Sequence, residues 1–327
     1  MPGGHRGSYS RLAIKQVELK AIIAVTLAAL TVRSSAQDRP TFRTDVSQVH
    51  VDAEVLSSDG RVVTGLTPSD FRIFDQGETE PIVALRTDEE PLDLILLIDT
   101  SGSMRRAPQK LQAASHQTFG ELKPGDRVAM MTFDTSAQLV LAFTEDLNVI
   151  ENGIQRITTG NFGGGTYIHR AIDDAARSLL QERRTGRRRA ILIITDNVGQ
   201  RTISDMHVVR DLWEADAVLM GLIFSQPGFE ARRAIVAVLA PYMLINGGRG
   251  MNQIADKTGG DTVRADKTGS VFPEVMHRLR SRYSLYYPTP EGAPGSYRSI
   301  RVELTPEAQR LHPGARVFAR RGYKLER

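Results

Sequence analysis

The chain has 327 residues, 41% hydrophobic and 24% charged, the composition of a soluble globular protein with room for one large domain or two ordinary ones. It holds no cysteine, so disulfides, thiolate metal sites and cysteine nucleophiles are excluded. The formal charge of +4 is local: residues 1–36 carry five of the 42 basic and one of the 38 acidic residues, leaving 37 of each sign in residues 37–327 and no basic excess for nucleic acid.

Arg6, Arg11, Lys15 and Lys20 precede the apolar stretch Ala21–Val32. Ser34-Ser35-Ala36 then offers small residues where a signal peptidase reads. This is the layout of a secretory signal peptide over residues 1–36, which implies export to the periplasm or the medium. The apolar core of 12 residues is too short to span a bilayer comfortably, so no stable transmembrane span is expected in the mature chain. An uncleaved anchor or a buried helix is the other reading of this stretch.

Residues 37–45 are polar. From Val46 the pattern is strand-like, with Val49, Val51, Ala53 and Val55 alternating with polar residues. Ser58-Asp59-Gly60 signals a turn, Val62-Val63 resumes a strand, and Thr67-Pro68-Ser69-Asp70 reads as a capped helical turn. Phe71–Phe74 and Pro81–Leu85 are further short strands. Such a β unit, about 50 residues long, is marginal alone.

After the charged, proline-closed stretch Asp88–Pro91 the rhythm becomes strand–helix alternation, the sign of a mostly parallel sheet. Leu92–Ile98 is a short apolar run without polar alternation, hence a strand buried on both faces. The spacing predicts a helix over 107–122, strands over 127–133 and 138–143 around an Asp134-Thr135-Ser136 turn, and a helix over 146–157. A glycine-rich loop (158–166) and a helix (168–181) follow. Glu182–Arg189 is a basic run, read as a solvated helix C-terminus rather than a phosphate or acidic-surface site. Ala190–Asp196 repeats the opening pattern, an apolar strand with an aspartate at its exit. Then come a helix (204–215), a buried strand (217–224), an irregular helical insertion (225–250), a short helix (251–257), an edge strand (261–265) and a helix capped by Ser270 to Arg282. Strands return over 283–287, 297–304 and 315–324.

The expected fold is α/β: a doubly wound, mostly parallel sheet with helices on both faces, inserted in a small antiparallel β-sandwich-like module. The expected divisions are 37–90 and 283–327 for the two parts of the module and 91–282 for the α/β domain.

Oxygen-bearing residues gather at the strand exits, where open α/β sheets bind ligands. Asp99, Ser101 and Ser103 alternate by two past the first buried strand. Asp196 leaves the second, and Thr166 ends the loop Gly160–Gly165, whose four glycines let it approach closely. Two carboxylates and three hydroxyls make an all-oxygen site of the kind hard cations such as Mg²⁺ prefer. An Asp-Ser helix cap beside a glycine-rich turn is the other reading.

Asp99-x-Ser101-x-Ser103, followed by Thr166 and then Asp196, resembles the metal-ion-dependent adhesion site of von Willebrand factor type A domains, over residues 91–282. Val63-Thr64-Gly65-Leu66-Thr67-Pro68-Ser69-Asp70-Phe71 and Ala319-Arg320-Arg321-Gly322-Tyr323 resemble flanks of bacterial VWFA-related proteins of the acidobacterial type. The resemblance implies direct ligation of Mg²⁺ (Mn²⁺ or Ca²⁺ as alternatives) by Ser101 and Ser103. It implies direct or water-mediated ligation by Thr166, Asp99 and Asp196. The last coordination position would take an Asp or Glu carboxylate from a protein partner, in a non-enzymatic adhesion role. Asn197 departs from the family, which commonly has glycine there; asparagine tolerates unusual backbone angles.

Other motifs are weaker. The glycine loop lacks the Gly-Lys-Ser/Thr of a P-loop, and Ser101 lacks a nucleophile elbow. Asp256-Lys257-Thr258-Gly259 and Asp266-Lys267-Thr268-Gly269 are read as helix-stop and turn chemistry. His169 is read as a surface or packing residue and Trp213 as packing. The rival functions are a metal-dependent hydrolase, which lacks a placed base, and a scaffold with a vestigial metal site.

Overall fold

The structure is a computed structural model and describes residues 47–87, 90–106, 121–182, 186–224, 249–265 and 271–326. The candidate signal segment, most of the helix expected over 107–122, the insertion 225–248, Ser270 and the Asp266–Gly269 motif lie outside the described residues.

A six-stranded sheet forms the centre, in the order β10-β9-β8-β5-β6-β7. Its strands are β5 (Leu92–Asp99), β6 (Arg127–Phe133), β7 (Ala137–Thr144), β8 (Arg188–Thr195), β9 (Ala217–Ile223) and β10 (Thr262–Arg264). All pairs are parallel except β6–β7. All eight residues of β5 are buried, Asp93 and Asp99 included, because the strand lies between two parallel neighbours and is covered on both faces. Alternation along it feeds two cores. Leu94, Leu96 and Ile98 meet α1 (Leu147–Thr158) and α5 (Val271–Arg280). Ile95 and Leu97 meet α2 (Ile168–Gln181), α3 (Asp205–Glu214) and α4 (Arg249–Lys257) on the other face. The chain leaves β5 towards β6 and returns to its other side in β8. The carboxyl ends of β5 and β8 therefore flank the point where the strand order reverses.

Two antiparallel four-stranded sheets complete the fold, in the orders β13-β1-β11-β4 and β14-β12-β2-β3. The strands are β1 (Gln48–Leu56), β2 (Phe71–Asp75), β3 (Glu78–Glu80), β4 (Ala84–Arg86), β11 (Tyr283–Pro288), β12 (Tyr297–Leu304), β13 (Arg316–Ala319) and β14 (Gly322–Lys324). Among the described strands β1 pairs with late ones, for example Val51 with Leu285 and Val55 with Val317. Their inner faces share one core. Buried Asp75 is its polar hub: it accepts from Tyr287 Oη and Tyr323 Oη, each at 2.8 Å, and from Arg298 Nε at 2.7 Å. Tyr283 Oη donates to the Val63 carbonyl and accepts from Leu66 N–H, which anchors the 63–66 segment.

Several local expectations change. Val62 makes one isolated bridge to Leu56 rather than a strand. Residues 315–324 split at Arg320-Arg321, so that β13 and β14 join different sheets. A helix missed in the sequence, α6 (Pro306–Leu311), starts at Thr305, whose hydroxyl caps Ala308 N–H. The basic run is the largest correction. α2 ends at Gln181, and Arg188 opens β8 with 3% of its surface exposed. Arg187 Nε binds Asp93 at 2.5 Å, Arg188 Nε binds Asp52 at 3.0 Å, and Arg189 donates to the carbonyls of Glu182 and Ala215. These arginines are internal fasteners, because carboxylates and carbonyls from distant segments replace their water.

Arg188 is one of several ties between the α/β sheet and the β strands. Arg278 of α5 binds wholly buried Glu54 of β1 at 2.7 Å, and Arg282 donates to the Gly259 and Phe318 carbonyls. Trp213 donates to the Lys257 carbonyl and approaches β14 so closely that a Cβ at Gly322 would sit 2.5 Å from its ring. Lys257 ends α4, and Gly259 follows at φ +80°, the expected helix stop.

Candidate metal centre

Asp99 is the last residue of β5, and its side chain is fully buried. The chain then turns into a 3₁₀ segment, Gly102–Arg106, anchored by the buried Met104. Asp99 Oδ1 accepts from Ser101 N–H at 2.9 Å, a local turn that short acidic side chains favour. This turn places Ser101 Oγ and Ser103 Oγ 3.1 Å apart. Ser101 is buried and Ser103 is exposed, so the hydroxyl pair runs from the sheet edge outward.

The second side comes from β8. Thr195 Oγ1 donates to Asp99 Oδ2 at 2.6 Å, and Asp196 follows as the first residue past the strand. Asp196 is 8% exposed, and its Oδ1 accepts from Val198 N–H at 3.1 Å. Asn197 sits at φ +59°, in the left-handed region where glycine is the default and asparagine is the best substitute. The departure from the family at this position is thereby accommodated.

The glycine-rich loop closes the third side. Gly163 N–H donates to the Thr100 carbonyl at 2.9 Å, and a Cβ on Gly102 would meet Gly163 Cα at 3.9 Å. Thr166 is 8% exposed; its carbonyl accepts from Gln200 N–H at 2.8 Å. A Cβ on Gly199 would lie 2.7 Å from that same carbonyl, so only glycine lets the two loops meet. Direct hydrogen bonds thus join Asp99, Ser101 and Ser103. Asp196 is held beside them through the adjoining Thr195, and Thr166 through its backbone.

The electrostatics are unbalanced. Burial pushes the Asp99 carboxyl up to about 6, against the hydrogen bonds of Ser101 and Thr195, and the Asp196 carboxylate adds to the rise. Among the described residues no lysine or arginine pairs with Asp99. A buried carboxylate with a like charge nearby and no cationic partner is a group that a bound cation would relieve. The hard oxygen donors present fit Mg²⁺ in type.

Some surrounding groups carry no signal in the motif itself. Thr195, which holds Asp99 across the strand gap, was legible only as a hydroxyl preceding an acid. Asp134, at the exit of β6, lines a cleft of about 330 Å³ with Thr100, Gln138, Arg156 and Asn161. His169 is buried and pairs through Nε2 with Asp205 at 3.0 Å; burial lowers its pKa, against the pull of Asp205. A larger cleft, about 650 Å³, lies by His50, Trp213, Arg320 and Tyr323 and shares no lining residue with the five motif positions. Asp173, His207 and Asp211 form a separate group of side chains with metal-ligating atoms, which the sequence did not single out.

Residues 94–200 match the family model of the von Willebrand factor type A domain. Among solved structures, the chain is similar to conserved hypothetical protein BatB from Bacteroides thetaiotaomicron, with 19% identity and a TM-score of 0.43, covering 57% of this chain and 97% of that one. It is similar to an aerotolerance-related membrane protein from Bacteroides fragilis at 18% identity and TM-score 0.43, covering 57% and 98%. It is also similar to the vWF domain of the type V pili tip protein Mfa5 from Porphyromonas gingivalis at 10% identity and TM-score 0.40, covering 59% and 96%. The matched segment holds all five motif positions, and residues 94–200 of this chain carry the sequence pattern of a von Willebrand factor type A domain.

Proposed function

We propose that this protein binds a protein partner through a Mg²⁺ ion held by Asp99, Ser101, Ser103, Thr166 and Asp196. The observation that supports it is the buried Asp99 at the switch point of the sheet, with no lysine or arginine paired to it among the described residues and with two hydroxyls and a second carboxylate beside it. A hard cation supplies charge to these carboxylates and an open position for a carboxylate oxygen from outside. Ser101 and Ser103 are the ligands that bring no charge, which leaves the ion attractive to an Asp or Glu of the partner. Asp99 and Asp196 hold it from the sheet side, and Thr166 from the glycine loop.

The reading is non-enzymatic. A hydrolase needs a base within reach of the ion, and His169, the histidine nearest Thr166 in sequence, is buried against Asp205. Capture of a partner outside the cytoplasm is consistent with the signal layout of residues 1–36, and we place the protein in the periplasm or the medium. Among the described residues, no helix is long and apolar enough to cross a membrane.

Calorimetric titration tests the site. Mg²⁺ should give a saturable heat with the full chain and none with Asp99→Ala or Ser101→Ala. Retention on beads carrying an aspartate-containing peptide, in Mg²⁺ against EDTA, tests the carboxylate. Unchanged Mg²⁺ binding by Asp99→Ala would overturn the site, and retention that EDTA leaves unchanged would overturn the capture mechanism.

A further inference from the structure

α2 and α3 pack side by side on one face of the central sheet. Asp173 stands on α2, and His207 and Asp211 stand one turn apart on α3. One ligand atom from each lies within 4.8 Å of the others. Asp173 is the unusual member. It is 5% exposed, and its Oδ1 accepts no hydrogen bond among the described residues. That atom faces His207 Nε2 at 3.5 Å.

Arg177 accounts for only half of the carboxylate oxygens. Its guanidinium reaches Asp173 Oδ2 at 2.9 Å and Asp211 Oδ2 at 3.2 Å, and donates to His207 Nε2 at 3.2 Å. One guanidinium therefore faces two carboxylates. The His207 side chain is 49% exposed, so the open side of the cluster faces solvent and an ion can reach it.

We propose that Asp173 Oδ1, Asp211 and His207 Nε2 form a second metal site, selective for a borderline divalent transition ion of the Zn²⁺ class. An imidazole with two carboxylates suits such ions better than Mg²⁺ or Ca²⁺, which favour oxygen alone. Three protein ligands leave a position for water. Arg177 stays on the two Oδ2 atoms as an outer partner that orients the carboxylates, and gives up only its bond to His207. The bound ion ties α2 to α3. No ligand is shared with the Asp99 site, and the inference does not depend on it.

The test is a Co²⁺ titration of the full chain, read by equilibrium dialysis and visible absorption, on wild type, Asp99→Ala, His207→Ala and Asp173→Asn. His207 is half exposed, so His207→Ala should keep its fold, which circular dichroism checks. Wild type and Asp99→Ala are expected to share one Co²⁺ with a nitrogen-containing ligand field. His207→Ala and Asp173→Asn should bind one ion fewer and lose that band. Zn²⁺ should raise the melting temperature of Asp99→Ala by several degrees and leave His207→Ala unmoved. Equal stoichiometry and spectra in wild type and His207→Ala would overturn the proposal, as would loss of all Co²⁺ binding in Asp99→Ala.

Discussion

Replacing Asp99 with asparagine should stabilise the metal-free protein while abolishing its response to Mg²⁺. The Asp99 carboxyl is fully buried and is pushed from 3.8 to about 6 by burial, with Ser101 and Thr195 opposing and Asp196 adding. A tenfold change in a protonation equilibrium is worth about 1.4 kcal/mol, so the ionised group costs the fold about 3 kcal/mol at neutral pH. Asparagine keeps the shape and an acceptor for Ser101 N–H and removes the charge. It weakens the bond from Thr195 Oγ1, now 2.6 Å long and charge-assisted, by about 1–2 kcal/mol. The net gain is about 1–2 kcal/mol, or roughly 3–6 °C in a unit of this size. The folded carboxyl value lies above the unfolded one. The penalty is therefore absent below the unfolded value, grows as pH rises from 3.8 to about 6, and is full above that. Calorimetric melts in EDTA at neutral pH should show Asp99→Asn above wild type, with a smaller gap at a pH near the unfolded value. Excess Mg²⁺ should then raise wild type alone, by about 2.7 kcal/mol at a hundredfold excess over Kd. An Asp99→Asn variant that melts below wild type in EDTA at neutral pH would refute the reasoning.

Three further outcomes follow from the ties between the sheets. Glu54→Ala should cost roughly 3–5 kcal/mol, because it strips Arg278 and Arg282 of a wholly buried counter-charge; urea unfolding reads it, and a loss under 1 kcal/mol would contradict the pairing. His50 is held up to about 10: burial alone would lower it, but Asp216 and Asp52 outweigh that. Since its folded value lies above the unfolded 6.5, its stabilisation is complete below 6.5 and fades towards about 10, so the stability gap between wild type and His50→Gln should narrow over that window in pH-dependent unfolding. Gly322→Ala should cost about 1–3 kcal/mol, since its Cβ would fall 2.5 Å from the Trp213 ring and 2.8 Å from the Arg298 carbonyl; a companion Trp213→Leu should recover part of the loss in thermal melts.

The buried strands were legible because an apolar run between turn signals has few alternatives. Leu92–Ile98 and Ala190–Ile194 carry no polar alternation, and both are covered by helices on each face. The oxygen-rich exits were legible for the same reason, as the polar residues begin where the sheet ends. The Arg187–Arg189 run misled because local sequence records an arginine's charge and omits its partner. Asp93, Asp52 and the Leu279 and Arg280 carbonyls come from elsewhere in the chain. α6 lies between two expected strands in a stretch given no element, where the Thr305-Pro306 start was the available signal.

The sequence by itself determined the α/β rhythm, the two aspartate-ended strands and the order of the five oxygen donors, because periodicity and residue chemistry are local properties. Only the tertiary structure decided that Thr195 reaches across to Asp99, that Gly199 lets the 199–200 loop meet Thr166, and that Asp173 lies against His207 and Asp211. Each depends on which strands and helices become neighbours. Non-local burial sets that, and no window along the chain contains it.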